Sequence, residues 1–515
     1  MRVGVKGFLS VESRVIRGSF ILSLGSIASL AIAAVGSVVI ARILGPDNYG
    51  LIPVVMVAPN VLMVLSDLGL STALTRYSSI PSGGRATYIV TGVLLKTLLG
   101  LAATVTLWLT AGYVASALGR PYAEHYIRIS SLLILANAIV SASTSALIGL
   151  GGYLESATVQ VALTILRVVV AVGLVMMGFG VLGAVLGHVV AWSLMAVVAL
   201  ALLLYSLGVL APPSLRVARE MVRYSIPLHL PAIIGVPLGQ FYYSILARVS
   251  SNWDLGNLGV AGNVMAPVNS IGGAILASLL SSLPLLIGDK AGLVKAVERA
   301  VVYTALVMPA LAGGVIVVAE PLITMLYGPS YSLAPLYTSI MALTVMIAPL
   351  GSYVWSSYLA SLGKTTDILK AQLLGAIVGV PVYVALTLTA GVVGYLASNI
   401  IVSVITTLYM LKVAVGTGVN VNLGESLRMA APTVIALTAT IPVLYTIEPA
   451  MLRWILAPVV YTATLALVTP VIVGFETLNE MTLTLRKAGF VGALMATVIN
   501  IDVRVAERIW GFRGR

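Results

Sequence analysis

The chain has 515 residues, a formal net charge of +12 and no cysteine. Hydrophobic residues make up 59% of it and charged residues 9%, with a mean hydropathy of +1.08. A soluble domain carries roughly 25% charge, so a water-soluble globule is excluded. With only three histidines, so is a framework built on disulfides, zinc or iron–sulfur clusters.

A helix that crosses a bilayer needs about 20 mostly apolar residues. Fourteen stretches of that kind follow one another at 20–43, 51–70, 88–113, 128–150, 156–178, 181–206, 223–247, 258–284, 298–319, 334–361, 367–389, 392–413, 428–447 and 453–473. Pro53, Pro59 and Pro267 interrupt the second and the eighth. The first is too long and too poorly flanked for a cleaved signal peptide and reads as an anchor. The pattern predicts an all-α integral membrane protein with fourteen transmembrane helices and short loops.

Charge placement sets the expected orientation. With the N-terminus in the cytoplasm, 22 of the 29 Lys and Arg residues fall on the inner side. Five fall outside (Arg42, Arg120, Arg128, Arg248 and Arg453), and Lys96 and Arg167 lie inside helices. That asymmetry follows the positive-inside rule and puts both termini in the cytoplasm of a multi-pass protein of the cell membrane. The net positive charge then answers to topology and anionic lipid heads, not to nucleic acid. Leu362-Gly363-Lys364-Thr365 has the end of a phosphate-binding loop, but the glycine needed five positions before Gly363 is Tyr358, so no nucleotide site is read there.

The second half of the chain repeats the first. Ile40-Ala41-Arg42-Ile43 recurs as Leu246-Ala247-Arg248-Val249 at an offset of 206. Leu118-Gly119 aligns with Tyr327-Gly328 at 209, Leu150-Gly151 with Leu362-Gly363 at 212, and Gly180-Val181-Leu182-Gly183 with Gly391-Val392-Val393-Gly394 at 211. The unit holds six helices, an even number, so both copies share one orientation. Expected are two pseudo-symmetric lobes, 1–210 and 211–415, then appended helices thirteen and fourteen in 416–474 and a basic amphipathic tail in 475–515. Parallel repeats imply a central cavity and alternating access.

Ala41-Arg42-Ile43-Leu44-Gly45-Pro46 with Tyr49-Gly50, then Ser66-Asp67-Leu68-Gly69-Leu70, resembles the start of Wzx-type polysaccharide flippases, within the superfamily of multidrug, oligosaccharidyl-lipid and polysaccharide exporters. The turn at Leu362-Gly363-Lys364 fits the same pattern. The resemblance implies a MATE-like fold and a flippase for polyprenyl-linked oligosaccharides, working without a cofactor, on membrane lipids and a lipid-linked glycan, as a monomer. Lipid II flippases resemble the chain near Ala41-Arg42 but carry an Arg-Asp pair where Gly36-Ser37 stands here. A multidrug exporter is the alternative among transporters. Outside that class stand a passive scramblase and a membrane glycosyltransferase, and the latter needs acidic catalytic residues and a large outer loop that the chain lacks.

The charged residues point to an anion. All 17 acidic residues read as lying toward one membrane face or the other, while Lys96 and Arg167 fall roughly 14–16 Å into their helices at 1.5 Å per residue. A charge at the bilayer centre costs about 2.5–3.5 kcal/mol or more, so it faces a cavity or a partner. With no carboxylate expected at that depth, Lys96 and Arg167 are candidate binders of a substrate phosphate, Arg as a planar fork and Lys as a point charge. Their repeat-equivalents, Thr304 and Val378, are uncharged. Arg42 and Arg248 form a candidate outer rim, with helix-end anchoring as the plainer role. Asp67 and Arg76 are placed for a gating ion pair, or for separate solvation. Pro227, Pro231 and Pro237 suggest a bent seventh helix that acts as hinge or portal, since proline removes a backbone hydrogen bond. His188 and His229 are either proton relays or packed polar residues. Paired glycines at 183/187, 235/239 and 375/379 read as close helix contacts.

Overall fold

The computed structural model describes residues 2–81 and 84–486, and among these it is helical with no strand. In hydrocarbon every backbone N–H and C=O has to be satisfied within the protein, and long runs of Leu, Ala and Val do this as helices. In chain order these are α1 (Arg2–Val55), α2 (Val57–Asp67), α3 (Leu70–Ser79), α4 (Arg85–Ala117), α5 (Glu124–Ser130), α6 (Leu132–Gly149), α7 (Tyr153–Leu174), α8 (Gly180–Leu207) and α9 (Leu215–Val249). They continue as α10 (Asn252–Ser282), α11 (Lys290–Leu326), α12 (Ala334–Val345), α13 (Trp355–Ser361), α14 (Thr365–Val415), α15 (Leu423–Thr446), α16 (Ala450–Val473) and α17 (Phe475–Arg486). The apolar segment 489–501, expected to lie on the membrane surface, is outside the described residues.

Ten helical segments are long and apolar enough to cross a membrane, or eleven if the bent pair Ala334–Leu350 and Trp355–Ser361 is one span. This is fewer than fourteen because three of the ten, Phe20–Asp67, Tyr153–Leu207 and Thr365–Val415, each hold two of the apolar stretches. Each is broken at a glycine that no side-chain-bearing residue replaces easily: Gly45 (φ 69°), Gly178 and Gly180 (φ 91° and 55°), and Gly391 (φ 54°). Such dihedrals suit glycine because it has no Cβ.

Glycines that the sequence aligns between its two halves share backbone conformations. Gly180 (φ 55°, ψ −134°) and Gly391 (φ 54°, ψ −130°) have nearly the same conformation. Gly119 and Gly328, and Gly151 and Gly363, are likewise positive-φ pairs. Each pair aligns at the offset read from the sequence. The second helix of each repeat differs: α2 ends at Asp67 and turns through Leu68 and Gly69 into α3, whereas α10 runs from Asn252 to Ser282 without a break.

Packing divides the chain into two compact units, Met1–Gly259 and Val260–Arg515. The sequence reading expected a boundary near 210, whereas α9 packs against α2, α3 and α4 and belongs to the first unit. Met221 of α9 lies in a core with Leu70, Leu74 and Ile89, which explains that placement. In the same unit α1 lies along α7, where a Cβ on Gly36 would come within 2.5 Å of Val168. In the second unit α11 packs with α12, α15 and α16, and Leu478 and Met481 of α17 cover Ala305 and Leu306.

Candidate functional site

The chain turns sharply where α2 meets α3. Leu68 (φ 47°) and Gly69 (φ 77°) are both left-handed, and the first costs roughly 1–2 kcal/mol because its Cβ crowds the carbonyl. A Cβ on Gly69 would lie 2.7 Å from His229 Cβ and 2.8 Å from Ser225 O of α9. Position 69 is therefore glycine for two reasons, its dihedral and the close passage of α9.

That turn aims Asp67 inward. Its Oδ1 accepts from Lys96 Nζ at 2.6 Å, from Ser71 Oγ at 3.0 Å and from Ser71 N at 3.3 Å, so one oxygen also caps the start of α3. Lys96 donates to Ser71 Oγ as well. Asp67 Oδ2 faces His229 Nε2 at 3.8 Å, beyond hydrogen-bond distance, and that buried nitrogen has no hydrogen-bond partner among the described residues. Lys96 is 3% exposed. Glycines one turn to either side make this burial possible: a Cβ on Gly92 would meet Leu74 and Met221 within 2.7 Å, and one on Gly100 would meet Ala138 at 2.6 Å. Small residues let backbones approach closely, and the lysine is closed in between them.

The expectation that no carboxylate reaches Lys96 is therefore corrected: Asp67 pairs with it. The sequence reading ended the second helix near residue 70, at the membrane surface. A second helix, α3, follows the turn and runs to Ser79, so Asp67 lies between two helices and not at the end of the helical stretch. Asp67 does not pair with Arg76, whose guanidinium lies over the Tyr224 ring at 4.4 Å. The signal that marks the site is Asp67-Leu68-Gly69 followed by Ser71, a helix stop whose aspartate accepts from the backbone N–H and hydroxyl of the serine four residues on, not the charge count.

Arg167 stands apart from this cluster. It is half-buried on α7, one turn from buried Leu163 and one from buried Ala171. Among the described residues no carboxylate forms an ion pair with it. On the neighbouring α8, His188 Nδ1 is 2.9 Å from Ala184 O. The close approach of α8 follows from Gly187, where a Cβ would fall 2.4 Å from Ala171 Cα. Thr304, the repeat-equivalent of Lys96, is buried and bonds its own helix through Ala300 O at 2.8 Å.

Arg248 has a structural bond that the sequence did not indicate. It donates to Ala117 O, at the end of α4, at 3.3 Å. Arg120, which sequence reading left among the loop charges, is 5% exposed. Its guanidinium caps the end of α9, donating to Ser250 O at 2.8 Å, to Asn252 Oδ1 at 2.6 Å, and to Ala247 O. The two arginines thus cross-brace α4 and α9. Arg42 is exposed on α1, one turn before Gly45.

α9 stays helical through Pro227, Pro231 and Pro237. Pro237, with Gln240 and Phe241, lines a cavity of about 420 Å³ against Val61 of α2 and Thr110 of α4. Gly235 and Gly239 face open space, so they are not contact glycines, whereas Gly183, Gly187 and Gly375 each meet a neighbour within 3 Å.

A family model for polysaccharide biosynthesis proteins matches residues 39–336. No curated protein matches the chain. Among solved structures, the lipid II flippase MurJ in an inward closed conformation superposes with a TM-score of 0.71 at 14% identity, over 88% of this chain and 98% of that one. An inward-facing multidrug resistance MATE family transporter of the MOP superfamily gives 0.60 at 15% identity, over 78% and 95%. A MATE transporter of Vibrio cholerae gives 0.54 at 13% identity, over 80% and 98%. At these identities the likeness shows a shared fold.

Proposed function

Because the chain belongs to the polysaccharide biosynthesis protein family, we propose that it carries a lipid-linked oligosaccharide from the cytoplasmic to the outer leaflet of the cell membrane. The fourteen apolar stretches cross the membrane with both termini inside, and the two repeats work by alternating access. Arg167 anchors the phosphate or pyrophosphate that joins glycan to lipid. The observation that carries this reading is a half-buried guanidinium in an apolar helix with no carboxylate to pair it among the described residues. An unpaired cation in a bilayer is costly and is retained where a ligand supplies the counter-charge, and a guanidinium binds phosphate through two parallel hydrogen bonds. Lys96 is held by Asp67 and joins the phosphate only when that pair opens. Arg42 and Arg248 form a rim for the headgroup, and the proline-bearing stretch of α9 lines the portal.

The test is flipping of a fluorescent polyprenyl-pyrophosphate oligosaccharide in proteoliposomes, read by quenching from outside. Arg167→Gln is expected to lower the rate at least about tenfold, the equivalent of ~1.4 kcal/mol, while Arg167→Lys keeps part of it. Wild-type rates in Arg167→Gln would remove the phosphate anchor.

A further inference from the structure

We propose that the cluster of Asp67, Lys96 and His229 takes up a proton as it takes up a phosphate: a proton on His229 moves Asp67 from the lysine to the imidazolium and frees Lys96 for the anion. The inference rests on the phosphate reading given above and adds the ion to which binding is linked.

Three observations carry it. The first is an unfilled hydrogen bond. Asp67 Oδ1 receives three donor contacts, from Lys96 Nζ, Ser71 Oγ and Ser71 N. Oδ2 accepts none among the described residues and faces His229 Nε2 at 3.8 Å. That nitrogen is buried and has no hydrogen-bond partner there. A buried polar atom without a partner costs about 1–3 kcal/mol, and the imidazolium, which carries a hydrogen on both ring nitrogens whatever the starting tautomer, always has a donor at Nε2 facing Oδ2.

The second is charge balance. With neutral His229 the cluster sums to zero, Lys96 against Asp67, and offers an anion nothing. One proton makes it +1. The proton comes from bulk water to the unprotonated ring nitrogen of His229, the contact between Nζ and Oδ1 opens, a hydrogen bond from Nε2 to Oδ2 forms, and no heavy-atom bond changes. Because linkage is reciprocal, a phosphate on Lys96 raises the cluster's affinity for the proton by the same factor that the proton raises its affinity for phosphate.

The third is placement. The cluster sits on the left-handed Leu68-Gly69 turn, with His229 Cβ within 2.7 Å of where a Cβ on Gly69 would be. A shift of Asp67 toward α9 therefore acts directly on the joint between α2 and α3. The second repeat has neither the break nor the charges, since α10 is continuous and Thr304 replaces the lysine.

The surrounding elements supply few competing groups. α6 packs against α3 and α4 and contains no titratable residue. On α3 the next are Arg76 and Tyr77, and on α4 they are Tyr88 and Arg85, two turns or more from Lys96. On α9 they are Tyr224, Arg223 and Glu220, of which Glu220 accepts from Tyr88 at 2.9 Å. In the other direction along α9, the next are Tyr242 and Tyr243. α1 and α5 touch α2 at its other end, where Ser130 reaches Val55. Their groups, Arg42, Asp47 and Tyr49 with Glu124, His125, Tyr126 and Arg128, belong to that end. His229 is the one histidine on α2, α3, α4, α6 and α9, the elements that pack around Asp67.

The experiment measures binding of farnesyl pyrophosphate and of inorganic pyrophosphate to the full chain in nanodiscs at about pH 5.5 and 8. Wild type is expected to bind about tenfold more tightly at the lower pH. His229→Gln is expected to lose that difference, and Asp67→Asn to bind tightly at both. A pH difference that survives in His229→Gln overturns the proposal. A shift seen with both probes assigns the site to phosphate as such, and one seen with farnesyl pyrophosphate alone assigns it to a lipid headgroup. A second measurement needs no probe: hydrogen exchange at residues 68–74, corrected for intrinsic rate. It is expected to be faster at the lower pH in wild type and unchanged in His229→Gln. No pH effect in wild type overturns the hand-over. An exchange effect without binding of either probe leaves the hand-over standing and removes the phosphate reading.

Discussion

Lys96 Nζ lies 2.6 Å from Asp67 Oδ1 and ties the middle of α4 to the last residue of α2. The contact changes the charge pattern of the first unit. Of its two cations deep in helices, one is neutralised within the protein and the other, Arg167, is left without an ion-pairing carboxylate among the described residues. Under the proposed function, the two cations are then not equivalent grips: Arg167 is open and Lys96 is held by Asp67.

Removing one member of a buried ion pair strands the other, and the loss comes from the stranded charge. Lys96→Met is expected to destabilise the chain by about 3 kcal/mol. The double variant Lys96→Met, Asp67→Asn should recover most of that. Thermal unfolding in detergent, run as a double-mutant cycle, checks it. Additive losses would mean the pair contributes nothing as a pair.

Gly69→Ala combines a positive φ with a clash against α9, whereas Gly151→Ala meets the positive φ alone, with nothing within 4 Å of its Cβ. Strain of this kind costs about 1–3 kcal/mol. Gly151→Ala should fall near the bottom of that range and Gly69→Ala at or above its top, measured as unfolding midpoints. Equal losses would mean that α9 does not press on the turn.

Gly180 and Gly391 hold the same mirror-image dihedrals, so alanine at either should cost nearly the same, about 1–3 kcal/mol. A large difference in their melting shifts would count against equivalent roles for the two turns.

Arg120→Ala leaves the carbonyls of Ala247 and Ser250 uncapped at a buried site. Hydrogen bonds to charged groups contribute about 1.5–3 kcal/mol, and a loss in that range is expected. Arg248 is exposed with a single long bond, and its alanine variant should lose under about 1 kcal/mol. If Arg248→Ala instead lowers flipping at unchanged stability, the rim role is supported.

The sequence by itself determined the solvent and the all-helical class, and it set up the expectation of a repeat. Apolar composition leaves helices as the form that such segments take in lipid, and glycines at matched offsets mark the turns because residues with a Cβ rarely adopt their dihedrals. It also located Lys96 and Arg167 as cations too deep in helices to be solvated. It did not reveal who meets whom. Asp67 reads as a surface charge in any count by loops, because a helix stop looks like a membrane edge until α3 is seen to follow it. Arg120 reads as a loop charge until α9 ends beside it, and α9 itself follows the repeat in sequence but the first unit in packing. Each of these is decided by the approach of segments distant in sequence, here through Gly69, Gly92 and Gly100, and pairing across such distances leaves no periodicity in the chain to read.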